Sequence, residues 1–165
     1  MKPLALLATV GWLAVAMSAV RAETVQYFPV PEGAGPHDVA PAPDGTVWYT
    51  AQGQGALGRL HPKNGEVKQV PLGDGSAPHG VIVGPDGAAW VTDGGLNAIV
   101  RVDPAMLDVK TYPLPSPNDN ANLNTAAFGE GDILWFTGQS GIYGSLDPKT
   151  GKMTVYEDPE GRGPY

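Results

Sequence analysis

The sequence contains no cysteine, so neither a disulfide nor a thiolate metal site can contribute to its structure. It is also short of basic residues, with ten Lys and Arg against seventeen Asp and Glu. Nucleic acids and anionic membrane surfaces both attract basic faces, so we expect neither as a partner. Helical periodicity is missing after residue 22, which argues against an α-helical domain.

One long apolar run lacks charge altogether: it extends from Leu4 to Met17 and follows Lys2. The tripeptide Val20 to Ala22 then places small residues where a signal peptidase reads them. This order predicts a signal peptide over residues 1–22 and a periplasmic or secreted mature chain. The run is shorter than the roughly 20 residues of a membrane span, so we expect no membrane insertion after cleavage. An uncleaved anchor is the alternative.

Cleavage before Glu23 would leave eight of the ten basic residues, because Lys2 and Arg21 lie in the leader. The mature chain of 143 residues would then carry a net charge of −9. That length suffices for one domain with a hydrophobic core. Glycine and proline are abundant, with 23 and 17 residues. They recur between strand-like segments at regular places, which favours ordered turns over disorder.

A repeat of 42 to 45 residues accounts for the rest of the chain. Three tryptophans mark it, and each is followed two residues later by threonine: Trp48, Trp90 and Trp135. We expect these indoles to pack between successive repeats. The Asp-Gly pairs at 44–45 and 86–87 predict hairpin turns rather than calcium ligands. His61 falls in a turn, at the position of Asp103 and Asp147, and we expect a structural role for it.

Each repeat contains further strand-like segments after the tryptophan. The predicted third strands are Ala56 to Leu60, Ala98 to Val102 and Ile142 to Leu146. The predicted fourth strands are Glu66 to Leu72, Val109 to Leu114 and Lys152 to Tyr156, and Thr24 to Val30 has the same character. Four short strands per 40 to 45 residues predict an all-β fold made of β-propeller blades, each a four-stranded antiparallel sheet.

The blades are expected at about 31–72, 73–114 and 115–156, with the start of a fourth at 157–165, so that residues 23–165 form a partial propeller. Propellers usually close with four to eight blades. Three blades and a short remainder cannot close alone, so we interpret the chain as a fragment of a longer protein. Completion of the ring by oligomerisation is the alternative.

Several motifs resemble the streptogramin lyase family, also called virginiamycin B lyases. They are Pro-His-Gly-Val at 78–81, Asp-Gly-x-x-Trp-x-Thr at 86–92, Tyr-Pro-Leu-Pro at 112–115 and Gly-Pro-Tyr at 163–165. The resemblance implies a seven-bladed parent that opens the ester ring of type B streptogramins by elimination, with Mg²⁺ as cofactor. It also implies one glutamate two residues before a channel histidine and another fourteen residues after it.

That glutamate pair is missing from the visible repeats. The corresponding positions hold Gly35 and Ala51 in the first repeat, Ala77 and Asp93 in the second, and Asn122 and Gly138 in the third. The catalytic residues are therefore unknown. Asp93 is a candidate for a metal-side carboxylate, with a turn-capping role as the alternative.

One position in each repeat points to a ligand site. The first strand of a propeller blade begins near the central axis, where ligands bind, and this position holds His37, His79, Asn124 and Tyr165. We predict that these four residues line the channel and contact a small-molecule ligand or substrate; structural hydrogen bonding is the alternative. Two functions remain open: a metal-dependent carbon–oxygen lyase acting on a cyclic ester, and a non-catalytic exported propeller that binds a small ligand, peptide or protein.

Overall fold

A computed structural model describes residues 25–165, so the predicted signal peptide lies outside the described residues. Within this range twelve strands form three four-stranded antiparallel sheets, and each sheet keeps its strands in chain order. The all-β prediction is confirmed. No helix in this part of the chain is long and apolar enough to cross a membrane.

Each sheet is one blade of a propeller. The first blade comprises β1 (Pro36–Pro41), β2 (Val47–Ala51), β3 (Ala56–His61) and β4 (Glu66–Pro71). The second comprises β5 (Pro78–Val83), β6 (Ala89–Asp93), β7 (Ala98–Val102) and β8 (Val109–Pro113). The third comprises β9 (Leu123–Phe128), β10 (Leu134–Gly138), β11 (Ile142–Leu146) and β12 (Met153–Glu157). Short 3₁₀ turns occupy Gln52–Gln54 and Glu130–Asp132.

The predicted third and fourth strands match these bounds within a residue at either end. The prediction for Thr24 to Val30 is wrong, since residues 25–30 form no strand. A strand needs a hydrogen-bonded neighbour, and none lies beside this segment among residues 25–165. Val30 instead packs against Tyr49, Ala51 and other buried residues of the first blade.

The core lies between the blades. Trp48 of the first blade packs with Val81, Val91 and Val100 of the second. Trp90 of the second packs with Leu134 and other buried residues of the third. The first and second blades thus each present their tryptophan face to the next blade, because alternate residues of a strand point to opposite faces.

The third tryptophan behaves differently. Trp48 and Trp90 are buried as predicted, whereas Trp135 is 43% exposed, and the expectation that it packs between blades is wrong for the described chain. Its sequence position and its strand match those of the other two, and β10 pairs with β11 in the same way. The difference arises because no further sheet covers this face among residues 25–165.

The Asp-Gly hairpins form as predicted. Asp44 Oδ1 accepts hydrogen bonds from the backbone N–H and the hydroxyl of Thr46, at 2.9 and 2.7 Å. Asp86 Oδ1 accepts one from the backbone N–H of Ala88 at 3.2 Å and one from the Trp90 indole at 3.1 Å. These aspartates lock the turn between the first and second strand of their blades.

Candidate functional site

Three of the predicted channel residues, His37, His79 and Asn124, sit at irregular points of the first strands. The pairing of β1 with β2 shifts register between Pro36 and Val39, and that of β5 with β6 shifts between Pro78 and Gly80. The third blade shifts opposite Phe136 to Gly138. A β-bulge bends its strand and redirects a side chain, and bulges are common beside functional sites. The same bulge in each blade turns its polar residue toward one shared space.

That space is a cavity of about 310 Å³. The structure brings together all four predicted residues around it: His37, His79, Asn124 and Tyr165. The remaining lining residues are Asp38, Gly80, Val81, Ile82, Thr125 and Ala126. The cavity therefore combines hydrogen-bonding groups and an aromatic ring with an apolar wall, which is the usual make-up of a small-molecule site.

His37 and His79 form a pair across the boundary between the first two blades. Their ring centroids are 4.0 Å apart, and His37 Nδ1 lies 3.3 Å from the carbonyl oxygen of His79. Burial lowers the pKa of His79 below its ordinary value, and the neighbouring His37 lowers it further. His79 is consequently a neutral imidazole at neutral pH, able to donate one hydrogen bond and accept one.

Asn124 is the most buried of the four channel residues, at 2% exposure. Its Oδ1 accepts a hydrogen bond of 2.8 Å from the hydroxyl of Thr125. This contact fixes the amide plane, which keeps the side chain in a defined orientation beside the cavity. Tyr165 is mostly exposed and contributes the rim.

Asp38 lines the cavity and was missed in the sequence. Its Oδ1 accepts the backbone N–H of Val39 at 2.9 Å, and its Oδ2 accepts that of Val81 in the second blade at 3.0 Å. The carboxylate therefore ties two blades together beside the channel. Only its position directly after His37 could have indicated it. The other repeats carry Gly80 and Thr125 at that position, so the repeat does not predict an acidic residue there.

Asp93 is fully buried and engaged in the turn after β6. One oxygen accepts the backbone N–H groups of Ala77 and Leu96, both at 2.9 Å, and the other accepts the Ser76 hydroxyl at 2.5 Å. This geometry supports the turn-capping alternative. In the range 25–165 no cluster of three His, Asp or Glu side chains could hold a metal ion. The residues described thus do not fit the Mg²⁺ that the resemblance implies.

His61 lies far from the cavity. Its carbonyl oxygen accepts the backbone N–H of Gly65 at 2.8 Å, closing the turn after β3. Ala51 pairs with both Pro36 and Ala56, and His61 comes five residues after Ala56 along β3, roughly 17 Å away at the usual strand rise. His61 is therefore the one histidine of the chain's three that is remote from the site.

The three sheets and their shared inter-blade core define a class of protein, the β-propellers, and here a cavity lies at the first strands of the blades. Within that class, a family model of the virginiamycin B lyase family matches residues 10–164. The chain belongs to this family.

Solved structures of virginiamycin B lyases are similar to this chain as well. A Staphylococcus aureus virginiamycin B lyase, described as a catalytically inactive histidine-to-alanine variant with quinupristin, is 28% identical with a TM-score of 0.75, covering 86% of this chain and 47% of that one. A streptogramin B lyase is 27% identical with a TM-score of 0.72, covering 80% and 44%. The chain thus spans less than half the length of these relatives.

More distant propellers show the fold alone. A gluconolactonase from Xanthomonas campestris is 15% identical with a TM-score of 0.61, covering 74% of this chain and 47% of that one. No curated protein is significantly similar to the chain in sequence.

Proposed function

We propose that the chain forms the ligand-binding wall of an exported streptogramin lyase-like propeller that opens a cyclic ester by carbon–oxygen elimination. The cavity carries this proposal, because residues from three separate blades converge on one space of ligand size. The family relationship supports the substrate class, since a relative is described with quinupristin.

Elimination needs a catalytic base and a stabilising cation in addition to residues that bind the substrate. A base removes the proton from the carbon next to a carbonyl, and the electrons of that C–H bond form a carbon–carbon double bond. The C–O bond of the ester breaks at the same time, and its electrons leave with the carboxylate. A cation such as Mg²⁺ would stabilise the intermediate negative charge. Residues 25–165 contain no such metal cluster, so we assign the base and the metal ligands to other blades of a complete ring. This chain's part is to bind and orient the ring.

A non-catalytic exported propeller is the second candidate. The engaged carboxylate of Asp93 favours it, because this sequence candidate for a metal-side acid is committed to a turn. The two candidates differ in ligand: a lyase-like channel recognises an intact streptogramin ring, and an unrelated binding propeller does not.

Calorimetric titration of the mature chain with quinupristin tests the proposal. We expect saturable binding that weakens about tenfold in His79→Ala, since that loss corresponds to one hydrogen bond to a polar ligand. His61→Ala is the matched control and should bind like the wild type. Absence of binding by the folded chain would contradict the streptogramin assignment and leave the second candidate.

Mass spectrometry of quinupristin incubated with Mg²⁺ and a complete ring that contains this chain tests the reaction class. Any ring-opened product should have the mass of quinupristin, because elimination adds no atoms. A product heavier by one water molecule would show hydrolysis and contradict the lyase proposal.

A further inference from the structure

Each bulge beside the channel exposes a backbone N–H that the strand ladder does not use, and a threonine hydroxyl accepts it. Thr50 Oγ1 accepts the N–H of Asp38 at 2.9 Å in the first blade. Thr92 Oγ1 accepts that of Gly80 at 3.0 Å in the second, and Thr137 accepts that of Thr125 at 3.2 Å in the third. These are the threonines that follow the three tryptophans by two residues.

The same hydroxyl then donates to the next blade. Thr50 donates to the carbonyl oxygen of His79 at 3.0 Å, and Thr92 donates to that of Asn124. Both acceptors are channel residues. Thr137 makes no such contact within residues 25–165; its hydroxyl reaches only the carbonyl of Thr125 in its own blade, at 3.5 Å.

We propose that Thr50 and Thr92 are positioning residues for the channel, each fixing the bulge of its own blade and the channel residue of the next. Each hydroxyl accepts a hydrogen bond from the bulge of its own blade and donates one to the channel residue of the next blade. The position of the bulge therefore constrains the position of that channel residue. The proposal goes beyond ligand binding and does not depend on which ligand the channel takes.

The His79 carbonyl shows why this should reach the side chains. Thr50 Oγ1 and His37 Nδ1 both lie within hydrogen-bond range of that one oxygen. If the hydroxyl is removed, the carbonyl loses the shorter of these two first-blade contacts and the Asp38 N–H loses its acceptor. The His37–His79 pair, held at 4.0 Å between ring centroids, then loses part of its support.

Thr50→Val tests the proposal, because valine keeps the branched shape of threonine and replaces the hydroxyl by a methyl group that cannot hydrogen-bond. NMR spectra of the three imidazoles should show displaced His37 and His79 ring signals and an unchanged His61 signal. The Asp38 amide should exchange with solvent about tenfold faster, as expected for the loss of its hydrogen bond to Thr50. Thr50→Ser retains the hydroxyl and should restore both readouts.

Thr137→Val is the matched control, since its hydroxyl contacts only its own blade among the described residues. It should leave the His37 and His79 ring signals as in the wild type. If Thr50→Val does not fold, Thr92→Val gives the same test through the Asn124 side-chain amide signal and the exchange rate of the Gly80 amide. Unchanged His37 and His79 ring signals in folded Thr50→Val, or equal changes in Thr137→Val, would overturn the proposal.

Discussion

The second and third blades carry tryptophan at the same strand position and bury it to opposite extents. Trp90 is 1% exposed and Trp135 is 43% exposed. The second blade's face is covered by the third blade, and the third blade's face is covered by nothing among residues 25–165. The hydrophobic core of a blade is therefore formed together with the adjacent blades, as in repeat proteins in general.

The tryptophan faces of the second and third blades also differ in the residues that surround the indole. In the second blade Arg101 pairs with Trp90 across the strands, lies over its ring at 5.9 Å and holds Asp86 at 2.8 Å. Arg59 occupies the corresponding place over Trp48 in the first blade. The third blade has Ser145 there, opposite Trp135. The covered blades combine tryptophan, arginine and aspartate, and the uncovered blade lacks this set.

Replacing the two tryptophans should give the largest contrast. Trp90→Ala should lower the free energy of unfolding by about 3–5 kcal/mol, the usual cost of emptying a buried aromatic site. Trp135→Ala should cost about 1 kcal/mol or less, because nearly half of its side chain already faces solvent. Urea denaturation followed by circular dichroism measures both. Equal losses would show that Trp135 is buried in solution.

Arginine should matter less than tryptophan but more than a surface ion pair. Arg101→Ser copies the third blade and removes both the Asp86 contact and the ring contact, so we expect a loss of about 1 kcal/mol. Lys149→Ser is the control, because Lys149 meets Asp132 at 3.3 Å on an exposed surface. Its loss should be near zero. Urea midpoints that move equally in the two variants would contradict a special role for the Arg101 arrangement.

The smallest predicted effect is the contribution of the Asp44 carboxylate to stability, which acid should remove. Hydrogen bonds from the hydroxyl and the N–H of Thr46 lower the pKa of Asp44 from 3.8 to about 2, with Arg59 adding to the shift against some burial. A carboxyl whose folded pKa is lowered stabilises the protein above its unfolded pKa, and loses that contribution as the pH falls toward the folded value. The contribution should therefore vanish between about pH 4 and pH 2.

Asp44→Asn tests this dependence through urea midpoints measured across that range. The difference from the wild type should shrink as the pH approaches 2, and it should stay modest because Asp44 is half-exposed. Thr46→Val should raise the Asp44 pKa and move the acid transition upward. If the difference in urea midpoint between Asp44→Asn and the wild type grew toward low pH, it would contradict the predicted pH dependence.

Much of this structure could be predicted from the repeat. The spacing of Trp48 and Trp90 placed the strands, and the residue at the start of each first strand gave His37 and His79 at the cavity. Local pattern works here because every blade has the same strands and turns. It failed for Trp135 and for residues 25–30, since burial and strand pairing depend on a neighbour that the local sequence does not contain.

The contacts between blades were also beyond sequence reasoning. Asp38 reaches Val81, and Thr50 reaches the His79 carbonyl, across about 30 to 43 residues of chain. These bonds depend on how two bulged strands face each other, and no periodicity reports that. The threonine after each tryptophan was visible as a repeated letter, but its double hydrogen bond became apparent only in three dimensions.

The central claim is that His37 and His79 face a ligand channel of the streptogramin lyase type, and imidazole NMR during titration with quinupristin tests it most directly. The chain has three histidines, so the third, His61, is an internal control at the opposite end of its blade. We predict that the His37 and His79 ring signals shift with ligand concentration and that His61 does not. Signals that all stay fixed at saturating quinupristin, or a His61 shift as large as the other two, would contradict the account.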